Sequence, residues 1–556
     1  MGHYSEAHIC HCLSLLSTLR RNSVVTVAGS RRKTGEEFVD GVMGLAQGLL
    51  QLGLQSGDVV SIAAFNSELY LEWLLAIAYV GAVAAPLNYR WSYEEAVLAM
   101  EVVRPAMLVF DDSCISWYSK LRRNYFPSLR WHVLLDSSLD LIRTSNINVL
   151  TTEAITKQYL RDASVDYCWA PEGAVIICFT SGTSGRPKGV AINHSAFITQ
   201  SLAKIAVVGY GEDDVYLHTA PLCHIGGLSS ALAMLMVGAC HVFIPKFDAK
   251  SALEAIGQHN VTSLITVPAM MADLVSKFRG NDTCKDIKSV KKILNGGGGL
   301  SVALTKAATK LFPQAKLLSA YGMTETCSSL TFMTLYDPKI DQRKLPSVEQ
   351  TRGICVGKPA PHVELKICVD GSSDVGRILT RGPHVMLRYW KGSPAKASAE
   401  SSNGVWLDTG DIGSIDDYGN VWLMGRANGR IKSGGENIYP EEVERTLLQH
   451  PGVTSAVVVG IPDARLTEMV VACVQIRENW QWVNTSTRDS VAEHMLHISS
   501  EILSQYCKEK SLTGFKIPKK FIVWKKSFPL TTTGKIRRDQ VRGEAISHLQ
   551  YLISHL

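Results

Sequence analysis

Ala174-Val175-Ile176-Ile177-Cys178-Phe179 runs directly into Thr180-Ser181-Gly182-Thr183-Ser184-Gly185-Arg186-Pro187-Lys188-Gly189. The first six residues are apolar and rich in β-branched types, as in a strand buried on both faces. The ten that follow hold three glycines, four hydroxyls and one lysine. Glycine allows close backbone approach. Free N–H groups, hydroxyls and the Lys188 charge can then surround phosphate oxygens. Lys188 is followed by Gly189 in place of Ser or Thr, so the spacing is not that of a Walker loop. A phosphate cradle at the end of a buried strand implies a phosphate-binding site on an α/β sheet.

The same rhythm extends outward on both sides. Short apolar runs at 59–63, 83–87, 107–110, 132–135, 175–179, 264–267, 292–294 and 316–318 read as strands, with helical patterns such as 68–80 between them. Alternation of this kind predicts helices layered on largely parallel sheets. After Val363 the texture changes. The runs 364–369, 376–380 and 420–424 are separated by Asp/Gly turns and read as antiparallel strands, a small β-barrel-like part. From about Gly425 a compact α+β unit continues, with a helix expected after Pro440, where Glu441, Glu442 and Glu444 suit the positive end of a helix dipole. The expected organisation is a large N-terminal domain of layered α/β subdomains over 1–425, a hinge at 426–429, and a small mobile α+β domain over 430–556 carrying an insertion at about 478–510.

Composition narrows the class. The chain has 556 residues, 46% hydrophobic and 19% charged, and a net charge of +6 spread along its length. That is too long for one simple core and too apolar for disorder. No basic block marks a nucleic-acid surface. The 13 cysteines are scattered and odd in number, and the Cys10/Cys12 pair is too closely spaced for a zinc knuckle, so reduced, mostly buried thiols are expected. The longest apolar run, Trp73 to Leu87, is interrupted by Gly81 and Pro86 and is shorter than the ~20 residues of a membrane span. The N-terminal stretch lacks the basic start of a secretory signal and carries an early Glu6 that suits a transit peptide poorly. The C-terminus, Ser554-His555-Leu556, is close to the Ser-Lys-Leu peroxisomal address. The tripeptide makes the peroxisome an expected location.

With the remaining motifs added, the chain resembles the adenylate-forming, AMP-binding superfamily of acyl-CoA synthetases, luciferases and peptide-synthetase adenylation domains. The motifs occur in that superfamily's order over essentially the whole chain. After 180–189 come Pro221-Leu222-Cys223-His224-Ile225-Gly226-Gly227, Tyr321-Gly322-Met323-Thr324-Glu325 and Trp406-Leu407-Asp408-Thr409-Gly410-Asp411. Gly425-Arg426, Lys432-Ser433-Gly434-Gly435-Glu436-Asn437-Ile438-Tyr439-Pro440 and Thr533-Gly534-Lys535-Ile536 complete the set.

The chemistry implied is carboxylate attack on the α-phosphate of ATP, giving an acyl-adenylate and diphosphate, followed by thiol displacement of AMP. Such phosphoryl transfer needs positioned charge more than covalent help. The resemblance assigns Lys535 to bridge carboxylate and α-phosphate, and Thr180, Ser181, Gly182, Thr183, Ser184 and Lys188 to the phosphates. Thr324 falls to the α-phosphate and Glu325 to Mg²⁺, since a hard cation takes oxygen ligands. Ala320 and Tyr321 line the adenine site, while Asp411 and Arg426 attend the ribose. Lys432, Gly434 and Gly435 form the second face, which meets CoA when the small domain rotates about Asn428. Superfamily members often carry a charged residue at the hinge position, and Asn428-Gly429 departs from that pattern.

His224, Gly226, Gly227, Ser229, Gly297 and Gly298 mark the acid pocket. Its glycines, including Gly296 and Gly299, leave room for a broad or branched group, and one or two also suit a tight turn. Within the superfamily, 223–229, 295–300, 433–440, the long insertion and the C-terminal tripeptide are similar to the plant branch of 2-succinylbenzoate–CoA ligases, which serves phylloquinone synthesis in plastids and peroxisomes, so the resemblance implies peroxisome, chloroplast or both. That branch implies ATP, Mg²⁺ and CoA, a small carboxylic acid, and neither nucleic acid nor an integral membrane segment. A 4-coumarate-like or short- to medium-chain fatty acyl ligase, a luciferase-like oxygenase and a catalytically silent AMP-binding protein remain alternatives at this point. The group that would hold a second carboxylate is not evident, and oligomeric state does not follow from sequence.

Overall fold

A computed structural model describes residues 7–121, 126–136, 149–157, 166–181, 187–279, 287–340, 353–369, 374–390, 397–398, 406–433, 436–463, 466–483, 496–510, 512, 514–531 and 535–554. Two large sheets dominate the first four hundred residues. One has nine strands and runs Lys358–Pro359, Ser328–Tyr336, Lys316–Met323, Lys292–Asn295, Ser263–Thr266, Val215–His218, Cys240–Phe243, Val24–Ala28, Arg31–Thr34. Its inner strands are parallel, and the Ser263–Thr266 strand is buried throughout. The other has eight strands and runs Arg388–Tyr389, Pro187–Asn193, Ala174–Ser181, Val83–Pro86, Val59–Ala63, Met107–Phe110, Trp131–Leu134, Leu150–Thr151. Helices cover both sheets, which explains the unbroken apolar runs of the inner strands.

The apolar run from Trp73 to Leu87 resolves into three pieces. Ser67 caps the Glu68–Tyr79 helix, Gly81 turns the chain at φ +71°, and Val83–Pro86 pairs with Val59–Ala63. A side chain at 81 would meet the Cys168 thiol and Ser56 hydroxyl within 3 Å, so this turn requires glycine. No helix among the described residues is long and apolar enough to cross a membrane. Eight of the twelve described cysteines are buried and none is bridged.

A third, antiparallel sheet carries Ile354–Cys355, Val421–Arg426, Trp406–Ile415, Gly376–Arg381 and Glu364–Cys368. The chain then passes through a short turn at Ala427–Gly429 into a separate sheet built from Ile431–Ser433, Glu436–Ile438, Val453–Asp463, Thr467–Ile476 and Lys520–Val523. The Pro440–Leu448 helix begins at the expected proline. This last unit has its own cores, around Val443, Val458 and Leu503 and around Val457, Val471 and Val541. Part of the expected insertion forms a two-stranded pair, Trp480–Trp482 with Leu496–Ile498, followed by the Ser500–Glu509 helix. Residues 484–495 lie outside the described set.

Candidate active site

The phosphate loop is the tip of a hairpin. Ala174–Ser181 pairs antiparallel with Pro187–Asn193, with Thr180 opposite Lys188. A strand, not a helix, follows the loop, so the cradle lacks the helix terminus of a Walker site. Gly182, Thr183 and Ser184 lie outside the described residues, as does the side chain of Ser181. Lys188 is exposed, and its ammonium stands 5.3 Å from the centre of the Tyr389 ring.

Tyr389 leads to the next group. Its hydroxyl donates to Glu325 Oε1 at 3.0 Å, joining the eight-stranded sheet to a turn at the end of a strand of the nine-stranded one. Glu325 is buried, in the Thr324–Thr326 turn. The two residues after it, Cys327 (φ 53°) and Ser328 (φ 115°), both occupy backbone conformations that L side chains rarely adopt. Strain of this kind persists where surroundings enforce it, often at functional sites. Gly322 is equally constrained, since a Cβ there would sit 1.6 Å from the Ser328 carbonyl oxygen. Among the described residues no three His, Cys, Asp or Glu side chains cluster around a metal site. A single carboxylate such as Glu325 could supply one oxygen ligand to a hard cation whose other ligands came from a polyphosphate and water.

A second bridge joins the nine-stranded sheet to the antiparallel one. Tyr321 Oη donates to Asp411 Oδ2 at 2.6 Å, and Arg426 Nε donates to Asp411 Oδ1 at 2.7 Å. Asp411 and Arg426 are cross-strand neighbours. The turn before Asp411 is built by its own side chains: Gly410 N donates to Asp408 Oδ1, Asp411 N donates to Thr409 Oγ1, and Gly410 has φ +72°. Burial raises the Asp411 pKa, against the pull of Arg426, Tyr321 and Lys535. The carboxylate expected at the ribose is thus gripped from two sides. Thr324 and Ala320 are half-buried beside these groups.

Lys535 arrives from the small domain. Its backbone N–H donates to Thr531 Oγ1 at 3.1 Å, and the Thr531 N–H donates to its carbonyl. The residue keeps solvent contact, yet the surrounding walls lower its pKa, followed by repulsion from Arg426 and opposed by Asp411 and Glu325. The same ammonium also disfavours protonation of His224. One charge thereby acts on Asp411, Glu325 and His224 together. The backbone of Lys432 lies in the Ile431–Ser433 strand, its side chain is not described, and Gly434 and Gly435 fall outside the described residues.

His224 is the N-cap of the Ile225–Val237 helix and uses no side-chain cap bond. Burial, then Arg90 and Lys535, push its pKa down to about 4, so the ring is neutral at physiological pH. The pocket glycines divide by role. A Cβ at Gly226 would touch only Ile265 Cδ1, at 3.8 Å, and one at Gly296 would meet nothing within 4 Å. Gly297 turns the backbone at φ +71°, with Val267 at 3.3 Å from its Cβ position, and Gly298 faces Pro268 at the same distance. At Gly227 a Cβ would meet the Pro221 carbonyl oxygen at 2.4 Å, so this glycine serves a close helix–loop approach. Ser229 is fully buried and donates to the Ile225 carbonyl.

Sequence reasoning missed Tyr389, Arg90 and Lys204. The first two carry no motif. Lys204 ends a helix, where a lysine reads as solvated, and only the packing of that helix on the His224 helix shows it enclosed.

A phosphate hairpin, a buried carboxylate pair fixed between sheets, and a lysine delivered by a small second domain define an enzyme that activates a carboxylic acid on a nucleotide. The chain belongs to the AMP-binding enzymes: that family's description matches residues 18–390, and "AMP-binding enzyme C-terminal domain" matches 442–535. It is 58% identical, over the full length of both chains, to a chloroplastic/peroxisomal 2-succinylbenzoate–CoA ligase of Arabidopsis thaliana. It is 31% identical to the indoleacetate–CoA ligase of Aromatoleum aromaticum, over 90% of each chain. Among solved structures, the o-succinylbenzoate CoA synthetase of Bacillus subtilis with its acyl-adenylate intermediate aligns with a TM-score of 0.74 at 26% identity, covering 96% of this chain and 97% of that one.

Proposed function

We propose that the chain joins 2-succinylbenzoate to CoA in two steps at one site. The succinyl carboxylate attacks the α-phosphate of ATP, forming the acyl-adenylate and releasing diphosphate. The CoA thiolate then adds to the acyl carbon and AMP leaves. Lys535 offsets charge on the incoming carboxylate and the α-phosphate. Lys188 and the hairpin tip hold the outer phosphates, Glu325 would hold a Mg²⁺ carried by them, and Asp411 with Arg426 orients the ribose. Neutral His224 at the start of its helix polarises or gates the acid end of the pocket. Lys432, Gly434 and Gly435 serve CoA after the small domain turns about 426–429.

The observation that carries this reading is the pair of buried carboxylates held between sheets, Glu325 by Tyr389 and Asp411 by Tyr321 and Arg426, beside a glycine-widened pocket, with the Lys535 charge acting on both Asp411 and His224. The choice of acid is supported by the full-length relative in Arabidopsis. Its name also supports action in chloroplasts or peroxisomes. A role in making a naphthoquinone such as phylloquinone rests on the resemblance of the sequence motifs. The test is exchange of labelled diphosphate into ATP with the acid alone, followed by thioester formation on adding CoA. 2-Succinylbenzoate should outperform 4-coumarate and hexanoate. Faster turnover of either comparison acid would overturn the choice of substrate, and absence of exchange with every acid would overturn the chemistry.

A further inference from the structure

We propose that Lys204, with the hydroxyls of Ser229 and Ser230, is the counter-charge for a second, distal carboxylate of the acid, and sets the preference for a diacid over the matching monoacid. This rests on the reading of the acid given above.

Lys204 ends the His194–Lys204 helix and is fully buried. Its ammonium donates to Ser229 Oγ at 2.6 Å, Ser230 Oγ at 3.0 Å and the Gly226 carbonyl at 3.3 Å. All three acceptors are neutral, and no carboxylate among the described residues pairs with it. A buried charge is costly unless an opposite charge meets it. A helix-to-helix tie could be made with a neutral side chain, so the unpaired cation calls for an anion from outside the protein.

Its place suits such an anion. Gly226, whose carbonyl it holds, is the pocket position with open space beside it, bounded by Ile265. The reacting end of the acid lies at His224, under the influence of Lys535. The Ser229 and Ser230 hydroxyls donate to the Ile225 and Gly226 carbonyls at 2.6 and 3.0 Å, so with Lys204 they sit against the first turn of the helix that His224 caps. One turn earlier on the lysine's helix, at the i−4 position that shares its face, Gln200 is fully buried with neither its amide oxygen nor its nitrogen partnered. A buried amide without partners is itself expensive and provides a second polar group for a ligand oxygen.

Burial lowers the Lys204 pKa to about 7, with the Cys327 thiol opposing the shift. Both Cys327 and the nearby Tyr216 on the Val215–His218 strand are held neutral by burial, so the lysine is the titrating group of this subsite near neutrality. An arriving carboxylate favours its protonated form.

The experiment compares 2-succinylbenzoate with 4-oxo-4-phenylbutanoate, the same acid without its ring carboxylate. The wild type should favour the diacid in kcat/KM, and that preference should decline between pH 7 and 9 as Lys204 loses its proton. In Lys204→Met the diacid kcat/KM should fall by roughly 30- to 1000-fold while the monoacid changes by less than about threefold, the pattern for deleting one partner of a buried charge pair. Equal losses on both acids, or an unchanged diacid rate, would overturn the inference. If Lys204→Met does not fold, the wild-type comparison decides: no preference, or one that is flat with pH, would overturn it. Failure of the wild type to use 2-succinylbenzoate at all would instead reject the assignment of the acid.

Discussion

Lys535 stands between opposing influences: the cleft walls and Arg426 disfavour its charge, while Asp411 and Glu325 favour it. The first two prevail, so its proton leaves at lower pH than from an ordinary lysine. Adenylate formation is therefore expected to decline on the alkaline side before pH reaches the usual lysine range, measured by diphosphate exchange across pH. Lys535→Ala should lower that exchange by about 10²–10³-fold, the scale for losing one positioned donor at developing charge. The same variant should still bind ATP and still convert supplied acyl-adenylate to thioester; unimpaired exchange would refute its role. Gly226 permits a contrasting test, since only Ile265 bounds the space beside it. Gly226→Phe should fill the acid pocket and raise the KM for the acid at least ~10-fold while leaving the KM for ATP within about twofold. A matching rise for ATP would place position 226 elsewhere in the site.

At the scale of elements, the Ile9–His11 turn and the Cys12–Thr18 helix are fastened to the large domain by two histidines. His8 Nδ1 accepts from Cys10 N, and His194 Nδ1 accepts from Ile9 N. The His8 ring stacks on Tyr167 with centroids 4.5 Å apart. Burial pushes the His8 pKa down to about 4 and that of His194 to about 3. Both are neutral in the fold and would protonate near 6.5 once released, so the released state binds more protons and docking weakens as pH falls below 6.5. Protection of the backbone amides over 9–18, taken relative to their intrinsic exchange rates at each pH, should accordingly fall between pH 6 and 4 ahead of that of the Val59–Ala63 strand. Equal loss of protection in both would refute a local release. These contacts also mark what sequence could and could not convey. Strands such as Met107–Phe110 and Lys292–Asn295 were legible because burial on both faces writes an apolar run. The Lys316–Met323 strand was read only to 318, because its second half turns polar to carry Tyr321 into the site. The partners Tyr389–Glu325 and Tyr321–Asp411 are 64 and 90 residues apart, and His8–His194 still further; no local periodicity encodes such pairs. Lys204 was hidden for a different reason: a lysine at a helix end reads as solvated, and only the packing of the neighbouring helix shows it enclosed.

Across the whole molecule, the proposed chemistry calls for two arrangements. With the Lys535 charge acting on Asp411 and Glu325, the proposed CoA face on the Ile431–Ser433 strand would reach the adenylate only by a turn of the small domain. The large domain ends with the Val421–Arg426 strand, which fixes Asp411, and the small domain begins with Ile431–Ser433. Any rotation must be absorbed by the few residues between them, where Ala427–Gly429 forms a single short turn. Asn and Gly at 428 and 429 leave that turn free of the large side chains that could brace it. Proline at 428 would fix its own φ and push Ala427 away from helical backbone, restricting the rotation at both positions. Asn428→Pro is therefore expected to separate the two steps. If the present domain arrangement tolerates the substitution, diphosphate exchange should stay within about threefold of wild type while thioester formation from preformed acyl-adenylate slows by ~10-fold or more. Should exchange fall and thioester formation persist, the restriction has favoured the other arrangement, and 427–429 still governs the turn. Equal rates for both steps before and after substitution would show that the domains exchange faces by bending elsewhere.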